Sequence, residues 1–228
     1  FKEHGLTLGV MALEETVKRA SERYVSIALN CPIHLDRSRV TEDQLKEAFD
    51  STVGSGRFWF YDHFGSSEVA NILAKIRYMI VALNIDFLIL DHISIVVSGL
   101  EENEESERKT IDRLMTSLRS LVAETGVGVL AVVHLKRPDK GKSYNEGRPV
   151  SLSDLRGSAS LEQLSDMVIA LERDQQGDES NISHVKILKN RPVGLTGRAD
   201  DLSYSHETGR LTVCDEACPF TADGNTDF

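Results

Sequence analysis

Four apolar residues run straight into an acid at Phe87-Leu88-Ile89-Leu90-Asp91-His92. A short, unbroken apolar run of this kind reads as a strand buried on both faces, the situation of strands in a parallel sheet covered by helices. The acid then sits at the carboxyl end of the strand, where open α/β sheets bind their ligands. A second run, Val127-Gly128-Val129-Leu130-Ala131-Val132-Val133, ends in the same manner on His134. Two buried strands ending on polar residues of different chemistry point to a reaction centre at one edge of one sheet.

The rest of the chain alternates strand and helix patterns. Leu6 to Ala12 reads as a strand, followed by a polar helical stretch from about Glu14 to Tyr24. Thr41 with Gln44 makes a capping box and Val40 with Leu45 a hydrophobic staple, so a helix starts there. Phe58 to Tyr61 is aromatic strand chemistry. Val69, Ile72, Leu73, Ile76, Ile80 and Leu83 keep helical spacing, as do Ile111, Leu114, Met115, Leu118, Leu121 and Val122. Met167–Glu172 and Ile182–Lys189 are further strands. The expected fold class is therefore α/β, built of βαβ units around a mostly parallel twisted sheet flanked by helices. No internal repeat is visible. At 228 residues, one core over 1–213 with an acidic, disordered tail over 214–228 fits better than two small domains.

Composition narrows the class further. No apolar run is long enough to span a bilayer and no signal peptide is visible. Cys31, Cys214 and Cys218 form no C-x-x-C pair, which argues against a zinc site or disulfide framework and suits a reducing cytoplasm. The formal net charge is −10, which argues against nucleic acid only until its distribution is read. Glu101, Glu102, Glu104, Glu105 and Glu107 form one acidic block, and Asp215, Glu216, Asp223 and Asp227 lie in the tail. Between them, Lys136, Arg137, Lys140, Lys142 and Arg148 crowd one loop. A local basic loop binds phosphates within a Debye length whatever the total charge. An ordinary solvated loop is the alternative.

Asp91 occupies the position at which P-loop ATPases hold magnesium on nucleotide phosphates. Their Gly-rich phosphate loop is missing. The only Gly-Lys-Ser is Gly141-Lys142-Ser143, the first glycine of the motif would have to fall at Lys136, and no helix pattern follows to supply an anion-binding N-terminus. The phosphate loop is expected upstream of Phe1, and the chain as given is expected not to hydrolyse ATP.

Three segments in order carry a resemblance: Leu90-Asp91-His92-Ile93-Ser94-Ile95-Val96-Val97, Val133-His134-Leu135-Lys136-Arg137-Pro138-Asp139-Lys140-Gly141-Lys142, and Asp154-Leu155-Arg156-Gly157-Ser158. Together they resemble the helicase half of the primase–helicases of short-tailed bacteriophages, which are DnaB-like ring helicases with a RecA-type core. The likeness runs from Gly9 to the final Asp227-Phe228. It implies a RecA-like fold, a hexameric ring, ATP or dTTP with magnesium, single-stranded DNA as partner and the bacterial cytoplasm as compartment.

The resemblance also implies roles. Glu14 matches the glutamate that activates the attacking water, with Glu15 as its understudy; a helix N-terminal acid favoured by the dipole is the other reading. Asp91 would hold magnesium, His134 would sense the γ-phosphate, and Gln163 would join that relay. Glu162 departs from the pattern, standing where an arginine is expected. Arg191 matches an arginine finger that reaches the neighbouring subunit's nucleotide, assisted by Lys189. Arg173 and Tyr204 match a pair that sandwiches the adenine. Lys136, Lys140 and Lys142 fall on the central-channel loop, where they would track DNA phosphates. Arg156 has two readings, a salt bridge at the base of that loop or a nucleotide relay. Phe228 matches a terminal aromatic that docks on the replicative DNA polymerase. The implied activity is nucleotide-driven translocation and duplex unwinding. The alternatives are a RecA-like filament or ring former that binds DNA without unwinding it, and a nucleotide-independent scaffold.

Overall fold

A computed structural model describes residues 4–62, 69–94, 104–138, 140–157 and 159–214. Glu101, Glu102, Asp139, Ser158, the tail from Asp215 and its terminal Phe228 lie outside the described residues. The backbone divides into two compact units. The first takes in Phe1–His134 with Arg156–Leu164, the second Leu135–Leu155 with Ser165–Phe228.

The first unit holds a four-stranded parallel sheet of order β2-β1-β3-β4. Its strands are β1 (Leu8–Ala12), β2 (Phe58–Phe60), β3 (Phe87–Asp91) and β4 (Gly128–Ala131), and its helices α1 (Val17–Leu29), α2 (Glu42–Ser51), α3 (Val69–Ala82), α4 (Glu104–Thr125) and α5 (Ala159–Leu164). The core is the one the periodicities mark. Met11, Leu88 and Leu90 of the sheet, Ile72 and Ile76 of α3, and Ile111 and Leu114 of α4 are all fully buried. Burying a side chain of this size contributes about 1.5–3 kcal/mol. α2 starts on the expected capping box, with Thr41 and Gln44 exchanging both hydrogen bonds. Helix α1 starts later and runs further than its polar pattern suggests. The Thr16 side chain accepts from the Arg19 amide, which fixes the start, and Asn30 at φ 53° ends the helix. A satellite cluster of Val25, Cys31, Ile33 and Ala48 packs α1 against α2.

The second unit holds a four-stranded antiparallel meander, β5 (Met167–Glu172), β6 (Ile182–Asn190), β7 (Gly197–Ser205) and β8 (Arg210–Val213). Strands β7 and β8 have no counterpart in the sequence reading. Gly197-Arg-Ala-Asp-Asp-Leu-Ser-Tyr-Ser205 carries charge along both faces and lacks the β-branched run that marks a strand. The expectation of a mostly parallel sheet thus holds for β1–β4, and the remaining strands pair antiparallel.

Candidate nucleotide-hydrolysis site and cation-bearing surfaces

Parallel pairing puts the carboxyl ends of β1, β3 and β4 side by side. Ala12 is opposite Asp91, and Leu90 is opposite Ala131. The chain leaves β1 for β2 on one flank and then crosses to β3 on the other, so β1 and β3 bound the point where strand order reverses. Ligands of open α/β sheets bind in that crevice.

Each functional side chain is held there by its own strand. The buried Leu13 donates its amide to the Asp91 carbonyl at 2.7 Å, which holds the next residue, Glu14, over the end of β3. Beyond β4, the Val132 amide donates to the Leu90 carbonyl at 2.9 Å and the Ile93 amide to the Val132 carbonyl at 3.1 Å, carrying His134 up to the same place. His92 fills the space between them. Its Nε2 lies 2.8 Å from Glu14 Oε1, and its ring centroid lies 3.7 Å from that of His134. His92 is 4% exposed, whereas Glu14 and His134 face solvent. The Asp91–His92 peptide is cis.

The two candidate bases are now distinct. Glu15 forms an ion pair with Arg23 at 3.2 Å, while the partner of Glu14 is the His92 imidazole. Tyr24 of α1 joins the site's surroundings. Its ring packs on Phe58 and Phe60 at 5.0 and 5.9 Å. Burial pushes its phenol above the ordinary value, and the Asp91 and Glu15 carboxylates push it further. Asp91 and Glu14 offer hard carboxylate oxygens, the donor chemistry magnesium prefers.

Sequence reasoning missed His92 and Tyr24 as participants. His92 stands in the quoted run, but only the register of β1 on β3 brings it to Glu14. Nothing in the α1 pattern points Tyr24 toward Asp91. A polar cleft at the opposite, amino-terminal ends of β3 and β4, lined by Asn84, Asp86, Thr125 and Val127, holds none of the expected residues.

The remaining residues separate into three places. Arg156 reaches Glu107 of α4 at 3.3 Å, the salt-bridge reading of this residue. The adjoining Gly157 adopts φ +119° beside Ile111, a conformation that suits glycine. Gln163 lies on α5 and is exposed. The basic loop is closed at its base by an antiparallel bridge from Leu135 to Leu155 and by the Lys136 amide on the Asp154 carbonyl at 2.8 Å. The Lys136 ammonium donates to the Ser153 carbonyl at 3.0 Å, so this lysine is engaged at the base, whereas Lys140 and Lys142 are exposed near the tip. Arg148 ties the loop across, donating to the Lys140 carbonyl at 2.9 Å and lying 5.6 Å over the Tyr144 ring. Burial, then a hydrogen bond to Asp154, raises the Tyr144 phenol. Among the described residues no helix directly follows Gly141-Lys142-Ser143, in keeping with its exclusion as a phosphate loop.

The antiparallel sheet carries cations at both ends of β6. At one end the Arg173 Nε donates to the Ser180 carbonyl, and the Tyr204 amide donates to the adjoining Asn181 carbonyl at 2.9 Å, bringing the expected base-holding pair onto one turn. At the other, Arg191 lies just past the strand and pairs with Asp166 at 3.1 Å, with Lys189 two residues before it in the strand. Strand β6 runs from Ile182 to Asn190, about 27 Å at ~3.4 Å per residue.

The family model described as the DnaB-like helicase C terminal domain matches residues 2–212. The chain is 45% identical over 216 residues to a DNA helicase/primase of Enterobacteria phage T3, covering 92% of this chain and 38% of that protein. It is 29% identical over 164 residues to the replicative DNA helicase DnaB of Geobacillus stearothermophilus, covering 69% and 35% respectively. Its fold is similar to that of a DnaB-like replicative helicase described with its interactions with primase, with a TM-score of 0.72 at 23% identity over 92% of this chain and 52% of that one. It is also similar to a KaiC-like protein of Pyrococcus horikoshii OT3, with a TM-score of 0.60 at 18% identity over 93% and 77%. The chain spans less than half the length of these curated relatives. No helix among the described residues is long and apolar enough to cross a membrane.

Proposed function

The chain belongs to the DnaB-like helicase C-terminal domain family, and from that premise we propose that it is the motor domain of a replicative ring helicase, using ATP or dTTP to move along single-stranded DNA and part a duplex. The observation that carries this reading is the meeting of Glu14, His92 and His134 beside Asp91 at the strand-order reversal of a parallel sheet.

In this reading Glu14 accepts a proton from the water that attacks the γ-phosphorus, as the bond to the leaving diphosphate breaks. His92 donates to Glu14 and holds its carboxylate in place. His134, stacked on His92, meets the γ-phosphate and is the residue through which its loss reaches the loop beyond β4. Gln163 extends that relay. Asp91 would hold magnesium, which neutralises phosphate charge and keeps part of its water shell.

The antiparallel unit supplies recognition. Arg191, with Lys189, stabilises charge on the neighbouring subunit's nucleotide, while Arg173 and Tyr204 hold a base at the far end of the same sheet. Their separation along β6 suits contact with two different nucleotides, as a hexameric ring with shared sites requires. Lys140 and Lys142 at the loop tip meet DNA phosphates, and Lys136 and Arg156 hold the base of the loop. Phe228 would dock on the replicative polymerase.

The test uses the full-length protein on a forked duplex. Glu14→Gln should lower nucleotide hydrolysis by about 10²–10⁴-fold, the usual contribution of a general base. Strand displacement should fall with it while single-stranded DNA affinity stays. Hydrolysis without strand displacement in the wild type would instead favour a filament or ring former.

A further inference from the structure

We propose that Glu14, His92 and His134 form a binding site for a divalent transition ion of zinc or cobalt type, distinct in donor chemistry from the magnesium that Asp91 serves. Each of the three offers one ligand atom, and these atoms all lie within 4.8 Å of one another. Ligands bound at 2.0–2.2 Å around a tetrahedral ion are about 3.3–3.6 Å apart. Glu14 Oε1 and His92 Nε2, at 2.8 Å, already approach more closely than that. Admitting the ion requires rotations that move these two atoms about 0.5–0.8 Å apart.

The donor set selects the metal. Two imidazole nitrogens and one carboxylate, with a fourth position open, are the ligands of hydrolytic zinc sites. Imidazole favours zinc, cobalt, nickel and copper over magnesium, which prefers oxygen and its own water. The scaffold is prepared on one side and accessible on the other. His92 is 4% exposed and its ring is held against His134, while Glu14 and His134 open to solvent and give the ion a path in. His92 Nδ1 is buried with no hydrogen-bond partner. With its Nε2 on the ion, that nitrogen carries the proton. It finds no carbonyl or carboxylate to strengthen the ligand, so the site is reversible rather than structural.

Occupancy has a consequence for turnover that rests on the proposed motor function. The ion takes the carboxylate oxygen that Glu14 would offer to water, so zinc acts as an inhibitor at the general base. Mg²⁺ in excess does not relieve it, because it does not compete for imidazole.

Cobalt titrated into the purified chain should develop visible d–d bands that saturate at one ion per chain and are erased by zinc but not by magnesium. His134→Asn, an exposed change that spares the fold, should weaken cobalt binding by about 10–100-fold or more, since even changes behind a metal ligand cost that much. Glu14→Gln should act in the same direction, and His92→Gln gives a third check if it folds. Absence of bands, bands unchanged in His134→Asn and Glu14→Gln, or a thiolate charge-transfer band from a cysteine would overturn the site. In the full-length protein, zinc at the concentration that erases the cobalt bands should slow hydrolysis; unaltered turnover would overturn the inhibition. Cobalt bands lost in His134→Asn, in a protein whose turnover ignores Glu14→Gln, would leave the metal site standing and sink the motor reading. Turnover that needs Glu14 in a protein without cobalt bands would do the reverse.

Discussion

The two sheets solve the same problem in opposite ways. In the parallel sheet the strands are apolar along their length, and chemistry is confined to their carboxyl ends, where Glu14, Asp91, His92 and His134 gather. In the antiparallel sheet the polar groups lie along the strands themselves. Lys186 of β6 bonds Glu172 of β5 at 3.3 Å, and Arg198 and His184 both bond Asp201 of β7. Among the described residues, no apolar side chain of β5–β8 is buried. A sheet whose interior is wholly apolar can place function only where its strands stop. A sheet that is half solvated tolerates charge anywhere, and the cations proposed to meet phosphate lie at its ends and in the loop before it. The acids of the proposed reaction accordingly sit in the first unit, and the cations expected to meet nucleotide or DNA phosphate sit in the second.

The sharpest way to break that division is Arg191→Ala in the full-length protein. If the antiparallel unit acts on a neighbour's nucleotide, this change should leave nucleotide binding nearly intact and cut turnover by about 10³–10⁵-fold, the range of arginine fingers elsewhere. Mixing it with Glu14→Gln should restore part of the hydrolysis, because some interfaces then own both intact groups. Rings that form at every mixing ratio yet stay inactive would show that both groups serve one subunit, and the division between units would lose its meaning.

Replacing Lys136, Lys140 and Lys142 with Ala tests whether the loop's cations carry DNA affinity electrostatically. Each lost single-strand phosphate contact should flatten the slope of log affinity against log salt by roughly 0.7. The structure sharpens this by separating the three. Lys140 and Lys142 should account for the change in slope. Lys136, whose ammonium is spent on the Ser153 carbonyl, should affect loop order more than salt dependence. A full share of the slope from Lys136 alone would reverse that assignment.

The same contrast decides what could be read from residues alone. The first unit is written locally. The run from Phe87 to Asp91 and the spacing from Ile111 to Leu121 state their own burial, and Thr41 with Gln44 states where α2 begins. Candidate residues at strand ends follow from such runs, and Asp91 and His134 stand out in this way. His92 does not, because its contact with Glu14 depends on pairing between β1 and β3, segments about 80 residues apart, and no pattern in either states the register. The second unit is written in long-range pairs. Strand β7 shows no alternation because its charged residues are satisfied across strands, Asp201 by His184 of β6 among them. Even there the resemblance to ring helicases directed attention to Arg173 and Tyr204, which the fold brings to adjacent carbonyls.

The smallest effect concerns that cross-strand network. Hydrogen bonding from Arg198 holds the Asp201 carboxyl below the usual carboxylate range, and His184 adds to it. A carboxyl depressed in the folded state stabilises it above the unfolded value of about 3.9, and that contribution disappears as pH falls through the folded value. Asp201→Asn removes the charge at every pH. Amide exchange in β7 should therefore be faster in Asp201→Asn than in wild type at neutral pH, and the two should converge as pH drops below about 4. Exchange from β1 and β3 should not respond, since their interior holds no ion pair of this kind. A gap in β7 that stays constant on acidification would mean that shape rather than charge is what Asp201 provides. The antiparallel unit would then be held together much as the parallel one is, and the contrast between the two sheets would reduce to where each keeps its ligand-facing groups.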